Sequence, residues 1–209
     1  MTFSIQEFAD LRPYVFHLTA RANVPRIKRI RALDPAAAIL RASGNHLLLK
    51  VRRATSVQAK LNGDVIHVRD QHPLHAGNVA FHGKWTIDKL VQEINERVFF
   101  WPGSDGWVVS YARRHYQRYA AENPVVLRIP FAALLAANAG SDPLFCKYNS
   151  GSPRWTSGRA SPRGPDTFVR CAKAAFPASG VVEVNFRSTV KLPIRIEVAD
   201  SYDGKWRAL

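Results

Sequence analysis

The sequence predicts an α+β fold: one domain, residues 1–209, built on a mixed or antiparallel β-sheet with flanking helices. Short β-type segments alternate irregularly with helical ones along the chain. The 209 residues, 46% of them hydrophobic, are enough for one substantial core. No internal repeat and no long linker divides the chain. We therefore expect a single core and a single domain.

The first predicted element is an apolar strand at residues 15–18. A helix follows, because Asn23 is a suitable N-cap, Pro25 fits the first turn and the next apolar residues recur at helical spacing. The clearest helix covers residues 86–97, where Thr86 is the N-cap of an amphipathic segment. Between them we expect a short helix at 35–42 and β-type segments at 47–51 and 65–68.

The second half begins with an aromatic strand at residues 98–101, which Pro102-Gly103 ends. Residues 147–165 contain several Gly, Ser and Pro and no acidic residue, which predicts a long basic loop. The other predicted elements are helices at 110–122, 131–138 and 166–176 and strands at 125–129, 181–186 and 194–198.

The charge of the chain predicts a polyanionic partner. Its 30 Lys and Arg residues against 16 Asp and Glu give a net charge of +14. Such an excess favours nucleic acid first, an anionic membrane surface second and phosphate-bearing ligands third. The alternative is a basic protein that is merely well solvated. Charge therefore indicates affinity for phosphate and does not by itself indicate a reaction.

Cysteine content and hydropathy predict a cytoplasmic protein without a membrane anchor. Cys146 and Cys171 lie far apart and lack metal-ligand spacing, which fits a reducing compartment. The first ten residues do not resemble a signal peptide, and no apolar stretch reaches the ~20 residues that cross a bilayer. A group of histidines matches no recognised ligand set, so we expect no metal. These are His67, His72, His75 and His82.

Three short segments carry residues that a purely structural strand does not need. They are residues 15–19 with His17, the aromatic residues 97–101, and residues 181–184 with Glu183. An unpaired carboxylate is expensive to bury, so Glu183 either faces solvent or has a function. His17 is likewise either a structural or a functional histidine. Glu197 is the nearest rival of Glu183, but it alternates with Arg195 as an ordinary exposed pair does.

In this order the segments resemble the ADP-ribosyltransferase superfamily, with its PARP-like fold and its DNA-modifying toxin branch. The resemblance implies that the β-sheet is split. Phe16-His17-Leu18-Thr19 is similar to the first core strand of that superfamily. There, a His and a following Ser, Thr or Gly hold the adenosine side and the nicotinamide amide of NAD. The resemblance therefore implies NAD binding by His17 and Thr19. It also implies a role for Asn23, which lies in a segment that resembles a motif of the toxin branch.

The aromatic segment resembles the superfamily's second strand, which precedes a helix that supplies a ring to stack on nicotinamide. The resemblance implies that Phe100 and Tyr111 contact NAD, with a place in the core as the alternative for Phe100. The toxin branch has an Arg shortly after this strand, and this chain has none there. Arg97 is expected to take that role, with Arg113 and Arg114 as alternatives.

Glu183 lies on a late strand of the kind that carries the catalytic Glu in this superfamily. The resemblance implies that its carboxylate hydrogen-bonds the nicotinamide ribose and stabilises positive charge as the glycosidic bond breaks. The basic loop is expected to lie along nucleic acid, the favoured acceptor. Its expected contacts are Lys147, Arg154, Trp155, Arg159 and Arg163.

These assignments predict a mono-ADP-ribosyltransferase that uses NAD as its substrate, needs no metal and modifies nucleic acid or, second, protein. A protein antagonist is a further candidate partner. One alternative is a non-catalytic nucleic-acid-binding protein. Another is a metal-independent nuclease with His17 or His115 as acid/base. The phrases Arg-Asp-Gln and Asn-Ser-Gly-x-Pro-Arg also resemble bacterial proteins of unknown function, a likeness that adds no activity.

Overall fold

The structure, a computed structural model, describes residues 2–209, which contain six α-helices and fourteen strands. The α+β prediction is confirmed. The helices are α1 (Ile5–Leu11), α2 (Val24–Ile30), α3 (Ala36–Ala42), α4 (Ile87–Asn95), α5 (Ser110–Tyr119) and α6 (Phe131–Ala137). The strands are β1 (Tyr14–Ala20), β2 (Ala32–Leu33), β3 (Val57–Leu61), β4 (Asp64–Val68), β5 (Val79–Phe81), β6 (Arg97–Ser104), β7 (Trp107–Val108), β8 (Pro124–Pro130), β9 (Leu144–Cys146), β10 (Ser161–Arg163), β11 (Glu183–Arg187), β12 (Val190–Lys191), β13 (Glu197–Ala199) and β14 (Arg207–Ala208).

The main sheet contains eight of these strands, in the order β14-β13-β8-β1-β6-β11-β9, with β7 paired to β6. All its pairs are antiparallel. β5 and β10 form a small parallel pair, and β2 with β12 and β3 with β4 form antiparallel ones. The strands that carry His17 and Glu183 thus lie on either side of the aromatic strand β6.

The main sheet splits between β1 and β6. In the described chain these strands pair over residues 14–16 and 101–103, although β1 continues to Ala20 and β6 begins at Arg97. Beyond the split, β1 pairs with β8 and the first half of β6 pairs with β11. The sheet therefore opens into a gap flanked by two well-supported strands.

Two hydrophobic cores hold the edges of this gap in place, one on each face of the sheet. Because side chains alternate along a strand, neighbouring residues of β1 and β6 enter different cores. Val15 and Phe100 pack with Leu127 and with buried side chains of α1 and α6. Phe16 and Trp101 pack on the other face against α5. Side-chain packing on both faces of the sheet therefore holds β1 and β6 in place.

Two predicted elements are wrong, and so is the predicted end of the aromatic strand at Pro102-Gly103, because β6 runs on to Ser104 and pairs there with β1 and β7. Residues 47–51, predicted as β-type, form a 3-10 turn over His46–Leu49, and the Asn95 side chain donates to two carbonyls of that turn. Residues 166–176, predicted as a helix, are mostly irregular, because Val169 exchanges two backbone hydrogen bonds with β9. In both places long-range partners override the local pattern.

A buried polar network anchors the loop that carries Arg69-Asp70-Gln71. Asn95, 1% exposed at the end of α4, accepts hydrogen bonds from Arg53 Nη1 at 2.8 Å and from the Gln71 amide at 3.1 Å. Arg53 also donates through Nε to the backbone carbonyl of Arg69 at 2.9 Å. Since buried polar groups are costly without partners, these bonds specify where the loop lies.

Replacing Asn95 by Ala is expected to lower the free energy of unfolding by roughly 2–4 kcal/mol, because donors of Arg53 and Gln71 and two backbone carbonyls lose their partner. Urea unfolding measures the change. Asn78→Ala is the control, since Asn78 makes a single bond of 3.4 Å to a backbone carbonyl. A loss no larger than that of the control would contradict the anchoring role.

Candidate active site

A cleft of about 290 Å³ opens at the split in the main sheet. Its walls come from β1, β4 and β6, from α4 and α5, from the loop after β4, from the loop after β9 and from the start of β11. Its volume is close to the lower end of the range for small-molecule sites, about 300 Å³. Five arginines and three carboxylates line it. They are Arg26, Arg53, Arg69, Arg97 and Arg118, with Asp34, Asp70 and Glu183.

His17 bridges the two strands at the point where they part. Its Nδ1 lies 2.9 Å from the carbonyl oxygen of Phe99 on β6. Burial, with a smaller effect of the Arg69 charge, lowers the pKa of His17 to about 4, so the ring is neutral at pH 7. A carbonyl can only accept, so the single proton lies on Nδ1 and Nε2 keeps its lone pair. The histidine is therefore fixed in orientation and in tautomer.

Glu183 lies in the wall of the same cleft with only 3% of its surface exposed. Both carboxylate oxygens lie 3.1 Å from the backbone N–H of Ser150, which donates to them. Burial raises the pKa of Glu183 from its ordinary value of 4.5 to about 7, against the opposing effects of Ser150 and of the Arg163 charge. The solvent-facing alternative for this residue does not hold.

Thr19, Asn23 and Arg97, all expected to bind NAD, also line the cleft. The Asn23 side chain donates to the backbone carbonyl of His67 at 3.0 Å and accepts from its N–H at 2.8 Å, which holds β4 beside the cleft. Arg97 Nη1 donates to the Glu93 carboxylate at 2.6 Å. Asn23 and Arg97 thus already have structural partners.

Phe100 lies outside the cleft lining, contrary to expectation. It is fully buried and packs edge-on against Phe186, with ring centroids 6.0 Å apart. The neighbouring Phe99 lines the cleft instead. Because β6 alternates, one residue of the aromatic run belongs to the core and the next to the cleft.

Tyr111 also lies outside the cleft lining, and packs against the core under α5. Its helix nevertheless supplies aromatic rings to the site. His115 and Tyr119, one and two turns further on, line the cleft and pack edge-to-face with ring centroids 4.9 Å apart. Residues four apart share a helix face, so Tyr111 lies on the same face of α5 but too near the start of the helix to reach the cleft.

The basic loop has a buried part and an exposed part. Arg163, expected to contact nucleic acid, is only 1% exposed because it ends the paired strand β10 and donates to the carbonyl of Asn149 at 2.8 Å. It thereby supports the turn that carries Ser150. The remaining expected contacts are exposed, as a surface for a polyanion requires. These are Lys147, Arg154, Trp155 and Arg159.

Arg69 is a site residue that has no assigned role at the sequence level. Its Nη1 donates to the carbonyl of Leu18, on the stretch of β1 that faces the split, at 3.0 Å. Its guanidinium carbon lies 4.7 Å from the centre of the Tyr119 ring. The phrase Arg-Asp-Gln marks this loop in the sequence, but only the fold brings it against β1. Within residues 2–209, no group of three His, Cys, Asp or Glu residues is placed to hold a metal ion.

Three kinds of group in the cleft offer contacts to a ligand. Guanidinium groups suit phosphate oxygens, a buried carboxylate suits a developing cation, and a neutral imidazole of fixed tautomer suits a hydroxyl or amide. In this single cleft, Arg69 supplies the guanidinium, Glu183 the carboxylate and His17 the imidazole.

Glu183→Gln is expected to change the pH dependence of stability. The folded protein keeps the Glu183 carboxyl protonated up to about pH 7. The wild type therefore loses stability as pH rises from about 4.5 to 7, and its free energy of unfolding stays lower above pH 7. The variant should match the wild type near pH 4.5 and exceed it at pH 8 by about 2–3 kcal/mol. Chemical unfolding at both pH values measures this. Asp142→Asn, at an exposed carboxylate, is the control; equal behaviour of the two variants would contradict the assignment.

Comparison with known proteins places the chain in a family. A family model described as a family of unknown function, DUF7002, matches residues 13–196. No curated protein and no solved structure matches. In residues 2–209, no helix has the length and apolar character needed to cross a membrane. The matched range runs from the start of β1 to the residue before β13 and so includes the entire cleft. The chain belongs to the DUF7002 family of unknown function.

Proposed function

We propose that this protein is a mono-ADP-ribosyltransferase, which takes NAD into the cleft and transfers ADP-ribose to an acceptor. The observation that carries the proposal is that His17 and Glu183, far apart in sequence, line the same cleft at the split of the sheet. The resemblance to ADP-ribosyltransferases rests on these two residues and on the aromatic strand between them. Their meeting across β6 supports that resemblance.

Glu183 is the proposed catalytic residue. NAD supplies a glycosidic bond whose cleavage releases nicotinamide and leaves positive charge on the ribose. A carboxylate stabilises that charge most effectively when it is already oriented and removed from water. The hydrogen bond from Ser150 orients Glu183, and burial removes it from water. A positively charged nicotinamide nearby favours the ionised carboxylate, so the pKa near 7 is no obstacle to its role.

His17 is the proposed positioning residue for the substrate. Its Nδ1 proton is committed to the Phe99 carbonyl, so Nε2 is left as an acceptor for a hydroxyl or amide N–H. The nuclease alternative, with His17 or His115 as acid/base, receives little support. Burial lowers the pKa of these residues to about 4 and about 3, which is too low for proton exchange near pH 7.

The acceptor is proposed to be nucleic acid, with protein second. Residues 149–152 line the cleft, and the exposed Arg154, Trp155 and Arg159 follow directly in the chain. A strand of nucleic acid that binds these cations and stacks a base on Trp155 would therefore lie near the cleft. The excess of positive charge on the whole chain favours the same class of partner.

Glu183→Gln is expected to slow NAD turnover by about 10²–10³-fold, because the variant loses the negative charge opposite the developing cation. NAD binding precedes that charge and should change little. Nicotinamide release and calorimetric titration with NAD measure the two effects. Glu197→Gln is the control, since Arg128 holds Glu197 outside the cleft. His17→Ala should instead weaken NAD binding.

Normal turnover by Glu183→Gln, with NAD still consumed by the wild type, would refute the catalytic role. Failure of the wild type to bind NAD at all would refute the whole proposal and favour the non-catalytic nucleic-acid-binding alternative.

Nucleic-acid affinity is expected to fall steeply with salt, and replacing Arg154 and Arg159 together by Ala should flatten the log–log slope by roughly 1.4–1.8, since each phosphate contact contributes about 0.7–0.9. Fluorescence anisotropy with single-stranded and duplex oligonucleotides measures the slope. Replacing Lys173 and Arg195, exposed cations outside the loop, is the charge-matched control. Equal slopes for the two double variants would place the binding surface elsewhere.

A further inference from the structure

Arg69 has donors that the protein itself does not use. Its Nη1 is committed to the Leu18 carbonyl. Its Nε and Nη2 are buried and have no hydrogen-bond partner among residues 2–209. The Glu122 carboxylate lies 3.7 Å from Nε, within ion-pair distance but too far for a hydrogen bond, so it compensates part of the Arg69 charge while these donors stay unbonded. Nε and Nη2 share one edge of the planar guanidinium, the edge that binds two oxygens of a phosphate or carboxylate at once.

Arg118 adds a second cation at the same end of the cleft. It is exposed, lines the cleft, and makes no ion pair in the described part of the chain. Its neighbour Tyr119 lies against the Arg69 guanidinium. The charges of Arg69 and Arg118 both add to the effect of burial in lowering the pKa of His115. Both charges therefore lie close enough to affect the same His115 ring in the cleft wall.

Asp70, the nearest acidic residue in the sequence, acts on Arg69 through its charge but hydrogen-bonds to other groups. Asp70 Oδ1 accepts hydrogen bonds from the Tyr119 hydroxyl at 3.0 Å and from the backbone N–H of His72 at 2.8 Å. It makes no ion pair with Arg69 among the described residues. At Glu183, by contrast, the cation that acts on the carboxylate is Arg163. The cleft thus has Arg69 and Arg118 beside α5, with Asp70 bonded to Tyr119 there, and Glu183 at the start of β11.

We propose that Arg69 and Arg118 form a diphosphate subsite that fixes the direction in which the substrate binds. This inference rests on the proposed function and deepens it. Two phosphate oxygens bind the free edge of Arg69, and Arg118 closes the subsite from the solvent side. The bond that is broken then lies at Glu183, at the other end of the cleft. The recognised chemistry is a diphosphate linked to a nucleoside.

The test is calorimetric titration of the full chain with ADP, inorganic pyrophosphate and adenosine. ADP and pyrophosphate are expected to bind the wild type, and Arg69→Gln and Arg118→Gln are each expected to weaken both by about 10–100-fold, since each removes charge-assisted hydrogen bonds. Adenosine affinity should not change. Arg195→Gln, at an exposed arginine outside the cleft lining, is the charge-matched control; it should bind ADP like the wild type.

Arg69→Lys tests whether ADP binding depends on the two-donor edge of the guanidinium or only on its positive charge. Because this variant keeps the charge, it also guards against a loss of binding that comes only from a folding defect. Lysine keeps the positive charge but lacks the two-donor edge, so ADP binding should still weaken. Because Arg118 is exposed, its variant should fold like the wild type. ADP affinity unchanged in Arg118→Gln and Arg69→Lys would overturn the subsite, even if NAD is still consumed. ADP binding that depends on both arginines in a protein that never consumes NAD would support the subsite and refute the proposed function.

Discussion

The site depends on the point where β1 and β6 stop exchanging backbone hydrogen bonds. A sheet that parts leaves carbonyl and N–H groups without strand partners, and buried groups of this kind need others. Here side chains supply them: His17 contacts the Phe99 carbonyl, and Arg69 donates to the Leu18 carbonyl. His17 and Arg69, which supply partners to these carbonyls, also line the cleft. The end of pairing between β1 and β6 therefore shapes both the fold and the candidate active site.

The burial of Glu183 in the cleft wall is energetically unfavourable. Burying a carboxylate without a cation in direct contact is unfavourable, and the rise of its pKa to about 7 measures that penalty. A structural strand would carry an apolar residue at this position. Ser150 supplies the one hydrogen-bond donor, and Arg163 supports the turn on which Ser150 lies. A buried carboxyl whose pKa is raised in this way is characteristic of functional sites.

The sequence predicts those parts of the molecule that local pattern controls. The strands of His17 and Glu183 and the amphipathic helix α4 are recognisable from spacing alone. Tyr111 was expected in the cleft, but only the docking of α5 decides which turn of that helix reaches it. Arg163 looks like any loop cation in the sequence, and its burial depends on the pairing of β10 with β5.

Arg69 could not be assigned from sequence for a similar reason. Its role follows from the network around Asn95 that places the loop, and from the carbonyl that the split leaves for it. Both are contacts between segments distant in the chain. Family membership does not supply the assignment either, since the matching family has no known function.

A crystal structure of the protein with ADP-ribose would show where the substrate binds and in which direction, because this ligand carries both the diphosphate and the ribose from which nicotinamide leaves. We expect density in the cleft at the split, with phosphate oxygens within about 3.2 Å of Nε and Nη2 of Arg69 and the terminal ribose beside Glu183. Density elsewhere, or a ligand bound in the opposite direction with its diphosphate at Glu183, would contradict this expectation.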